Sequence, residues 1–339
     1  MHHIDEPKFV VVVGASAGGL NSVIELCAQL TKEMNVAVFV VLHISHISMS
    51  DILVDRIQKS SSLTCKSAEH EESIRANHIY LAVPDSHLVM KDHKIVLGNG
   101  PAENRWRPSI DVLFRSAAAS FGNRAIGVVL SGMLHDGTSG MIAIQRSGGS
   151  SIVQDPLEAD YPDMPQSVLD NMTVDYCVSI SQMGAIIKEK TRNGLPPDVD
   201  VPEDVKAEAE ISQRVAVGIE NVNGLGERSL FSCPDCGGAL WELEQNGRSR
   251  YRCHTGHAYS DQDLFLRMDE NTENTLWIAL RMLDERKALL QKMSAEELSK
   301  GWIRSAANKR KRTEELEEHI ERLKQLLFDT RKNEESRTG

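Results

Sequence analysis

The stretch 11-VVVGASAGGL-20 decides the fold, because a run of valines enters a glycine-rich corner that carries one serine. With Phe9 and Val10 in front, the valines form a near-continuous apolar run, which is typical of a strand covered on both faces. The next segment, 20-LNSVIELCAQL-30, has apolar residues at helical spacing. The sequence therefore predicts a buried strand, a tight turn and a helix.

The corner itself fits two chemistries. Residues 14–18 read G-x-S-x-G, the pattern of a turn that lifts a serine nucleophile above the carboxyl edge of a sheet. A glycine-rich corner before a helix also binds phosphate in α/β folds. Here Ser16 occupies the middle glycine of the dinucleotide motif, and the lysine of the P-loop motif is absent. On this motif alone the nucleophile and the phosphate loop are equally supported.

The alternation of strand and helix continues over residues 8–190. The segments 35-NVAVFVVLH-43, 125-AIGVVLSG-132 and 150-SSIVQD-155 are apolar strands, and helical segments such as 109-SIDVLFRSAAASFG-122 lie between them. This rhythm predicts an α/β fold with a doubly wound, mostly parallel sheet and helices on both faces. We place this domain at residues 1–193.

Two further strands end in groups that complement Ser16. His43 ends the second strand, and Asp136 lies in the turn 132-GMLHDG-137 after a later strand. Taken singly, the histidine is typical of a polar strand end and the aspartate of a helix N-cap. Because the carboxyl ends of parallel strands meet at one edge of a sheet, the three residues together predict a Ser/His/Asp triad.

The composition of the chain limits which partners it can bind and where in the cell it can be located. The chain of 339 residues has a formal net charge of −11, which argues against nucleic acid because phosphate contacts need a basic face. No uncharged run is long enough for a bilayer span, and the N-terminus has no signal-peptide pattern. We therefore expect a cytoplasmic protein without membrane insertion.

A compact Cys/His module follows at residues 231–260. It holds two cysteines in a C-x-x-C-G-G knuckle and a third cysteine with two histidines after it. In a cytosolic chain such clustering favours a metal over a disulfide. His254 is the reserve ligand, and a metal-free turn is the alternative. We assign four ligands to a structural Zn²⁺, with the second pair spaced much as the first: Cys233, Cys236, Cys253 and His257.

The segments on either side of the module differ in character. Residues 194–230 contain 195-LPPDVDVPEDVKAEAE-210, rich in proline and acids, which predicts an extended, solvated, acidic linker. Residues 261–339 show apolar stripes on charged helices. They predict a helical tail that forms an antiparallel pair or a coil for a partner helix or for self-association.

Six blocks of residues 8–190, in order, resemble the catalytic domain of chemotaxis receptor protein-glutamate methylesterases of the CheB type. They are VGASAGG, LHIS, NHIYLAVPDSHL, RPSIDVLFRSAA, VVLSGMLHDGTSGM and GGSSIVQDPLEADYPDMPQSVLDN. The resemblance implies hydrolysis of γ-glutamyl methyl esters on the cytoplasmic helices of chemoreceptors, with release of methanol, and deamidation of particular glutamines. It implies no cofactor for catalysis.

The same resemblance implies a role for each candidate residue. Ser16 is the expected nucleophile, His43 the general base and Asp136 the carboxylate that orients the imidazole. The expected oxyanion donors are the backbone N–H groups of Ala17 and Met133. Since the esterase begins by residue 8, we expect a stand-alone form without the receiver domain of the regulated enzymes.

Two other functions compete with the esterase. The first is a non-catalytic signalling adaptor that keeps the esterase fold for docking, and the second is nucleotide binding at the glycine corner. The intact Ser/His/Asp set argues against the adaptor. Residues 105–107, Arg-Trp-Arg, are interpreted as surface packing, with a place beside the active-site crevice as the alternative.

Overall fold

The computed structural model describes residues 6–43, 50–192, 194–197, 199–212, 226–245 and 247–335. The strands are β1 Phe9–Ala15, β2 Val36–Leu42, β3 Thr64–Ser67, β4 His78–Leu81, β5 His87–Lys91, β6 Lys94–Gly98, β7 Ala125–Val129, β8 Ser150–Gln154, β9 Tyr176–Val178, β10 Glu227–Ser232, β11 Ala239–Gln245, β12 Arg248–Cys253 and β13 Ala258–Ser260. The α-helices are α1 Gly19–Gln29, α2 Ser50–Ser60, α3 Ile110–Phe121, α4 Thr138–Arg146, α5 Asp163–Asn171, α6 Ile180–Arg192, α7 Glu203–Ser212, α8 Asp261–Ser299 and α9 Ile303–Glu335.

A seven-stranded sheet in the order β3-β4-β2-β1-β7-β8-β9 forms the centre of the first compact unit. Every neighbouring pair in it is parallel. Alternate side chains of β1 point to opposite faces, so Val10 and Val12 join one apolar cluster and Val11 and Val13 the other. Helices α3 and α4 cover the first face, and α1 and α6 the second. The expected doubly wound α/β fold is confirmed.

Residues 203–212 do not form the extended, solvated linker that the sequence suggested. They form α7, which packs against α3 and buries Val205 in the core cluster of that face. The acids that suggested solvation have distant partners. Glu208 lies 2.9 Å from a nitrogen of Arg115 and 3.0 Å from one of Arg250. The expectation of an extended chain is therefore wrong for this part of residues 194–230; residues 213–225 lie outside the described residues.

The Cys/His module is a small antiparallel sheet in the order β10-β11-β12-β13. The module and the parallel sheet belong to the same compact unit. That unit ends at Asp263. Its apolar cluster is small: Trp241 and Leu243 pack with Ile211 of α7 and with the partly buried Ala239. This module is too small to rest on apolar burial alone.

The second unit begins at Leu264 and contains most of α8 and all of α9. The two helices are antiparallel, because Glu297 pairs with Lys309 near the turn between them, whereas Lys287, earlier in α8, lies 4.0 Å from Glu317, later in α9. Leu280, Ile320 and Leu327 form the buried seam between them. Among the described residues, none of the helices combines the length and the hydropathy needed to cross a bilayer.

Candidate active site

The parallel sheet reverses its direction of growth at β1, which lies between β2 and β7. In doubly wound sheets, ligands bind in the crevice beyond the carboxyl ends of the strands at such a point. Ser16 follows β1, His43 follows β2, and Asp136 lies in the turn beyond β7. The topology therefore brings the three segments that carry the predicted triad to one crevice.

Ser16 lies in a turn that demands small neighbours. Its backbone N–H donates to the Ser131 carbonyl at 3.0 Å, and the residue is 8% exposed. Gly18 has a φ of 71°, in the left-handed region that glycine adopts without steric cost. A Cβ built at Gly132 would lie 2.8 Å from the Ser16 Cβ. A larger residue at position 132 would therefore displace the serine.

His43 contacts Asp136 and is buried. Its backbone N–H donates to the Ala15 carbonyl at 3.0 Å, which ties it to the end of β1. Its Nε2 lies 3.2 Å from Asp136 Oδ2. Both ring nitrogens are buried, and neither has the geometry of a full hydrogen bond to any of the described residues. The imidazole thus approaches the Asp136 carboxylate through Nε2.

Asp136 accepts an unusually large number of hydrogen bonds for one carboxylate. The backbone N–H groups of Ile110 and Asp111, at the start of α3, donate to it at 2.6 and 3.1 Å. Ser109 Oγ and Asn104 Nδ2 donate at 2.9 and 3.0 Å. Burial alone would raise the pKa of Asp136, but His43 and these donors outweigh burial and lower it. Asp136 is therefore held as a carboxylate.

Asp111, which no sequence motif marks, also belongs to this buried cluster. Its Oδ1 accepts from the N–H groups of Gly137 and Gly140 at the start of α4, at 3.0 and 2.6 Å. Asp136, which precedes α4, instead caps α3, while Asp111, in the first turn of α3, caps α4. Burial, and then the neighbouring Asp136, raise the pKa of Asp111. Only the folded chain reveals this exchange of caps.

Trp106 lies over the imidazole, so its interpretation as surface packing is wrong and the crevice alternative holds. The two rings are stacked, with centroids 4.1 Å apart and planes inclined by 9°. A cavity of about 370 Å³ opens beside them, and its lining includes Arg105, Arg107 and His257. Aromatic stacking fixes the plane of the imidazole. His257 of the Cys/His module therefore reaches the same cavity that His43 lines.

The two predicted oxyanion donors lie on turns joined beside Ser16. The Ala17 carbonyl accepts a hydrogen bond from Ser131 Oγ at 3.0 Å, which links the turn after β1 to the turn after β7. Met133 follows in the second turn, with its side chain 48% exposed. Leu134, the next residue, has a φ of 67°. Both turns are thus fixed close to the serine.

The four predicted metal ligands form one group. One donor atom from each of Cys233, Cys236, Cys253 and His257 lies within 4.8 Å of the others, and the reserve residue His254 is not in this group. The Sγ atoms of Cys236 and Cys253 are 3.7 Å apart, and His257 Nδ1 is 3.6 and 3.5 Å from two sulfurs. Tetrahedral Zn²⁺ with ligands at about 2.3 Å for sulfur and about 2.0 Å for nitrogen requires separations of about 3.5–3.8 Å. The donor set therefore fits zinc.

Comparison with known proteins identifies the family. The sequence profile described as CheB methylesterase matches residues 11–187. The chain belongs to the CheB methylesterase family. A Leptospira interrogans relative is 35% identical over 187 residues, which cover 55% of this chain and 96% of that protein. The solved catalytic domain of Thermotoga maritima CheB methylesterase is 29% identical, with a TM-score of 0.51, and the match covers 53% of this chain and 97% of that chain.

Other CheB relatives are longer than the matched region. Proteins from Photorhabdus laumondii and Escherichia coli K12, both named protein-glutamate methylesterase/protein-glutamine glutaminase, are 32% and 30% identical to this chain. The matches cover 55% of this chain and 53% and 54% of those proteins, so the chain spans about half their length. The expected enzyme class is confirmed at the level of the family. The Cys/His module and the helical tail lie outside the profile match.

Proposed function

We propose that this chain is a protein-glutamate methylesterase that removes methyl groups from glutamyl esters on chemoreceptor-type signalling helices and also deamidates glutamines. The names of the CheB relatives support the activity. The observation that carries the proposal is the contact between buried His43 and Asp136 beside the Ser16 turn. A cytoplasmic location accords with this substrate and belongs to the proposal.

The triad acts in two steps. His43 Nδ1 takes the proton from Ser16 Oγ as the oxygen attacks the ester carbonyl, and Asp136 stabilises the imidazolium. The protonated imidazole then gives its proton to the departing methoxide, which leaves as methanol. Water then attacks the acyl-enzyme with His43 as base, and the imidazolium returns the proton to Ser16 Oγ as the acyl bond breaks, which leaves a glutamate side chain on the receptor. For a glutamine substrate the leaving group is ammonia.

Backbone donors stabilise the tetrahedral intermediate in this proposal. The N–H groups of Ala17 and Met133 belong to the two turns that flank Ser16. Loss of one such donor typically lowers kcat about 10²–10³-fold. Because these are backbone groups, the turn geometry fixed by Gly18 and Gly132 maintains them. The chemistry requires no cofactor.

The Cys/His group takes a structural Zn²⁺. All four ligands come from the protein, so the tetrahedral shell has no open position for water or substrate. When bound, the ion would cross-link the knuckle after β10 to the turn between β12 and β13. The ion takes no direct part in the chemistry of ester hydrolysis.

The helical tail is proposed to bind a partner helix or a second copy. Exposed Trp277, Ile278 and Met282 on α8 provide an apolar surface beyond the buried seam. Sedimentation of the full chain with and without a methylated receptor fragment separates these occupants. A sedimentation coefficient that is independent of both concentration and receptor would contradict both.

Methanol release from methylated receptor helices tests the enzyme proposal. Ser16→Ala should lower kcat on the order of 10⁶-fold, as loss of a serine nucleophile does. Ser22→Ala is the matched control, since Ser22 is also 8% exposed and lies in α1 close to the turn. Activity retained in Ser16→Ala would refute the nucleophile. Receptor binding by wild-type protein without any turnover would favour the adaptor.

A further inference from the structure

The Cys/His module pairs with a short loop beside the triad, which we call the anchor loop (residues 103–106). The Asn104 N–H donates to the Ala258 carbonyl at 2.9 Å, and Glu103 forms a parallel bridge with Ala258. Glu103 and Asn104 are 1% and 3% exposed. The loop is therefore buried between β13 and the catalytic crevice and contacts both.

Buried ion pairs also hold the anchor loop to the module. Glu103 lies 2.6 Å from Arg252 of the module and 2.7 Å from Arg115 of α3, and all three side chains are 2% exposed. Glu208 adds a second carboxylate, in contact with Arg115 and Arg250. Although Glu103 is buried, the arginines hold its pKa well below its ordinary range. Removing one member of such a buried network leaves the others uncompensated.

The anchor loop has a backbone that depends on outside support. Glu103 and Trp106 exchange two backbone hydrogen bonds at 3.2 and 2.9 Å, which closes a four-residue turn. The central residues have positive φ, 49° at Asn104 and 71° at Arg105. Asparagine tolerates this region, whereas arginine is uncommon there because its Cβ crowds the backbone. The turn thus needs contacts from its surroundings to persist.

The same loop reaches two members of the triad. Asn104 Nδ2 donates to Asp136 Oδ1 at 3.0 Å and to Asp111 Oδ2 at 2.7 Å. Trp106 stacks on His43. A shift of the loop would therefore move both the carboxylate's donor and the surface against which the imidazole rests.

The module anchors this loop through residues next to its metal ligands. Arg252 directly precedes Cys253, and Ala258 directly follows His257. The Cys253 N–H donates to the His257 carbonyl at 3.0 Å. This bond closes the turn 253–257, which we call the ligand turn, and brings Arg252 and Ala258 on either side of it close together. Whatever orders the ligand turn also orders both contacts to the loop.

We propose that the Cys/His module is a positioning element of the esterase site: through Arg252 and Ala258 it holds the anchor loop, whose Asn104 and Trp106 orient Asp136 and His43. This inference rests on the proposed function and goes beyond it, because it makes part of the chain outside the CheB profile match a component of the active site. Asn104, Trp106 and Arg252 are positioning residues that act through the triad.

Arg252→Met in the full chain tests the proposal, with Arg228→Met on the exposed face of β10 as the matched control. A displaced triad should lower kcat about 10–100-fold with KM changed less than about twofold. Loss of the Asn104 donor should also raise the pKa of Asp136, so the acid-side loss of activity should begin at higher pH than in wild type. Arg228→Met should match wild type in all three measurements.

Amide hydrogen exchange provides a readout independent of turnover. In Arg252→Met, and in wild-type protein stripped of zinc by a chelator, the N–H groups of Asn104, Ile110 and Asp111 should lose protection. The second treatment covers the case in which Arg252→Met does not fold. If the Asn104 amide stays protected after both treatments, or if protection is lost while kcat and the pH profile stay as in wild type, the proposal is overturned. An inactive wild type would refute the proposed function, and exchange at Ile110 and Asp111 would still decide the positioning role.

Discussion

The parallel sheet and the Cys/His module, two parts of one compact unit, are stabilised by different forces. The valines of β1 are 0% exposed and contribute to apolar clusters on both faces of the sheet. In the module, Trp241 and Leu243 pack with Ile211 of α7 in one small buried cluster, beside four metal-donor atoms and two buried arginines. Burial of apolar surface stabilises the sheet without a ligand. In our proposal the module depends on a bound ion, and its buried arginines pair with carboxylates of distant segments.

Removal of the metal should have the largest effect on folding, and it should unfold the module while the parallel sheet stays folded. Structural zinc contributes an apparent binding free energy on the order of 10–16 kcal/mol to small domains, so the chelated module should lose its fold. Amide exchange should show loss of protection in β11 and β12 and unchanged protection in β1 and β2. Protection retained in β11 after the metal has been removed would show that the module folds without the metal.

Asp136→Asn should have the next largest effect, confined to the edge of the sheet. The amide keeps the shape but not the charge that stabilises the imidazolium, and the analogous change in a serine protease lowers kcat about 10⁴-fold. Methanol release and thermal unfolding should be measured together. Asp155→Asn, just after β8, is the control, because the Asp155 side chain accepts from the Leu157 N–H of its own turn and makes no contact with Ser16, His43 or Asp136 among the described residues. Equal losses in the two variants would contradict the assignment.

The smallest expected effect is a pH dependence of the folding stability that comes from His87, at the start of β5. Its Nε2 lies 2.9 Å from the Pro101 carbonyl, and its Nδ1 accepts from the Ser109 N–H. Burial lowers the pKa of His87, so the folded protein holds it neutral. The unfolded chain takes up this proton at about pH 6.5. Stability from His87 is therefore full above that pH and declines as the pH falls below it.

Proton NMR checks this expectation. The His87 ring resonance should titrate at lower pH in the folded protein than in the same protein unfolded in urea. A titration at equal or higher pH in the folded state would show that the group is not held neutral, and Ser109 would then not be its backbone donor.

The residues at strand ends were predictable, because strand ends of a parallel sheet share an edge. Ser16, His43 and Asp136 follow from apolar runs that stop at a polar group. The metal ligands were predictable for a different reason, since the knuckle spacing is local in sequence. The structure also separates His257, which belongs to the donor group, from His254, which does not.

The remaining features depend on contacts between segments far apart in the chain. Asp111 caps a helix that begins more than twenty residues later, and the amphipathic pattern of α3 gives no sign of it. Glu208 looks solvated until Arg115 and Arg250 are placed around it. Trp106 reads as surface packing because its partner, His43, follows β2, far away in the sequence. The domain boundaries and the roles of the triad residues stay predictions.

The most direct measurement is the site of covalent labelling by a fluorophosphonate, read by mass spectrometry of the digested full chain. The account predicts one adduct, on the peptide that contains Ser16, and its loss in His43→Gln, because the imidazole must take the serine proton. Folded protein that releases methanol without a label on Ser16, or with the label on another serine, would contradict it.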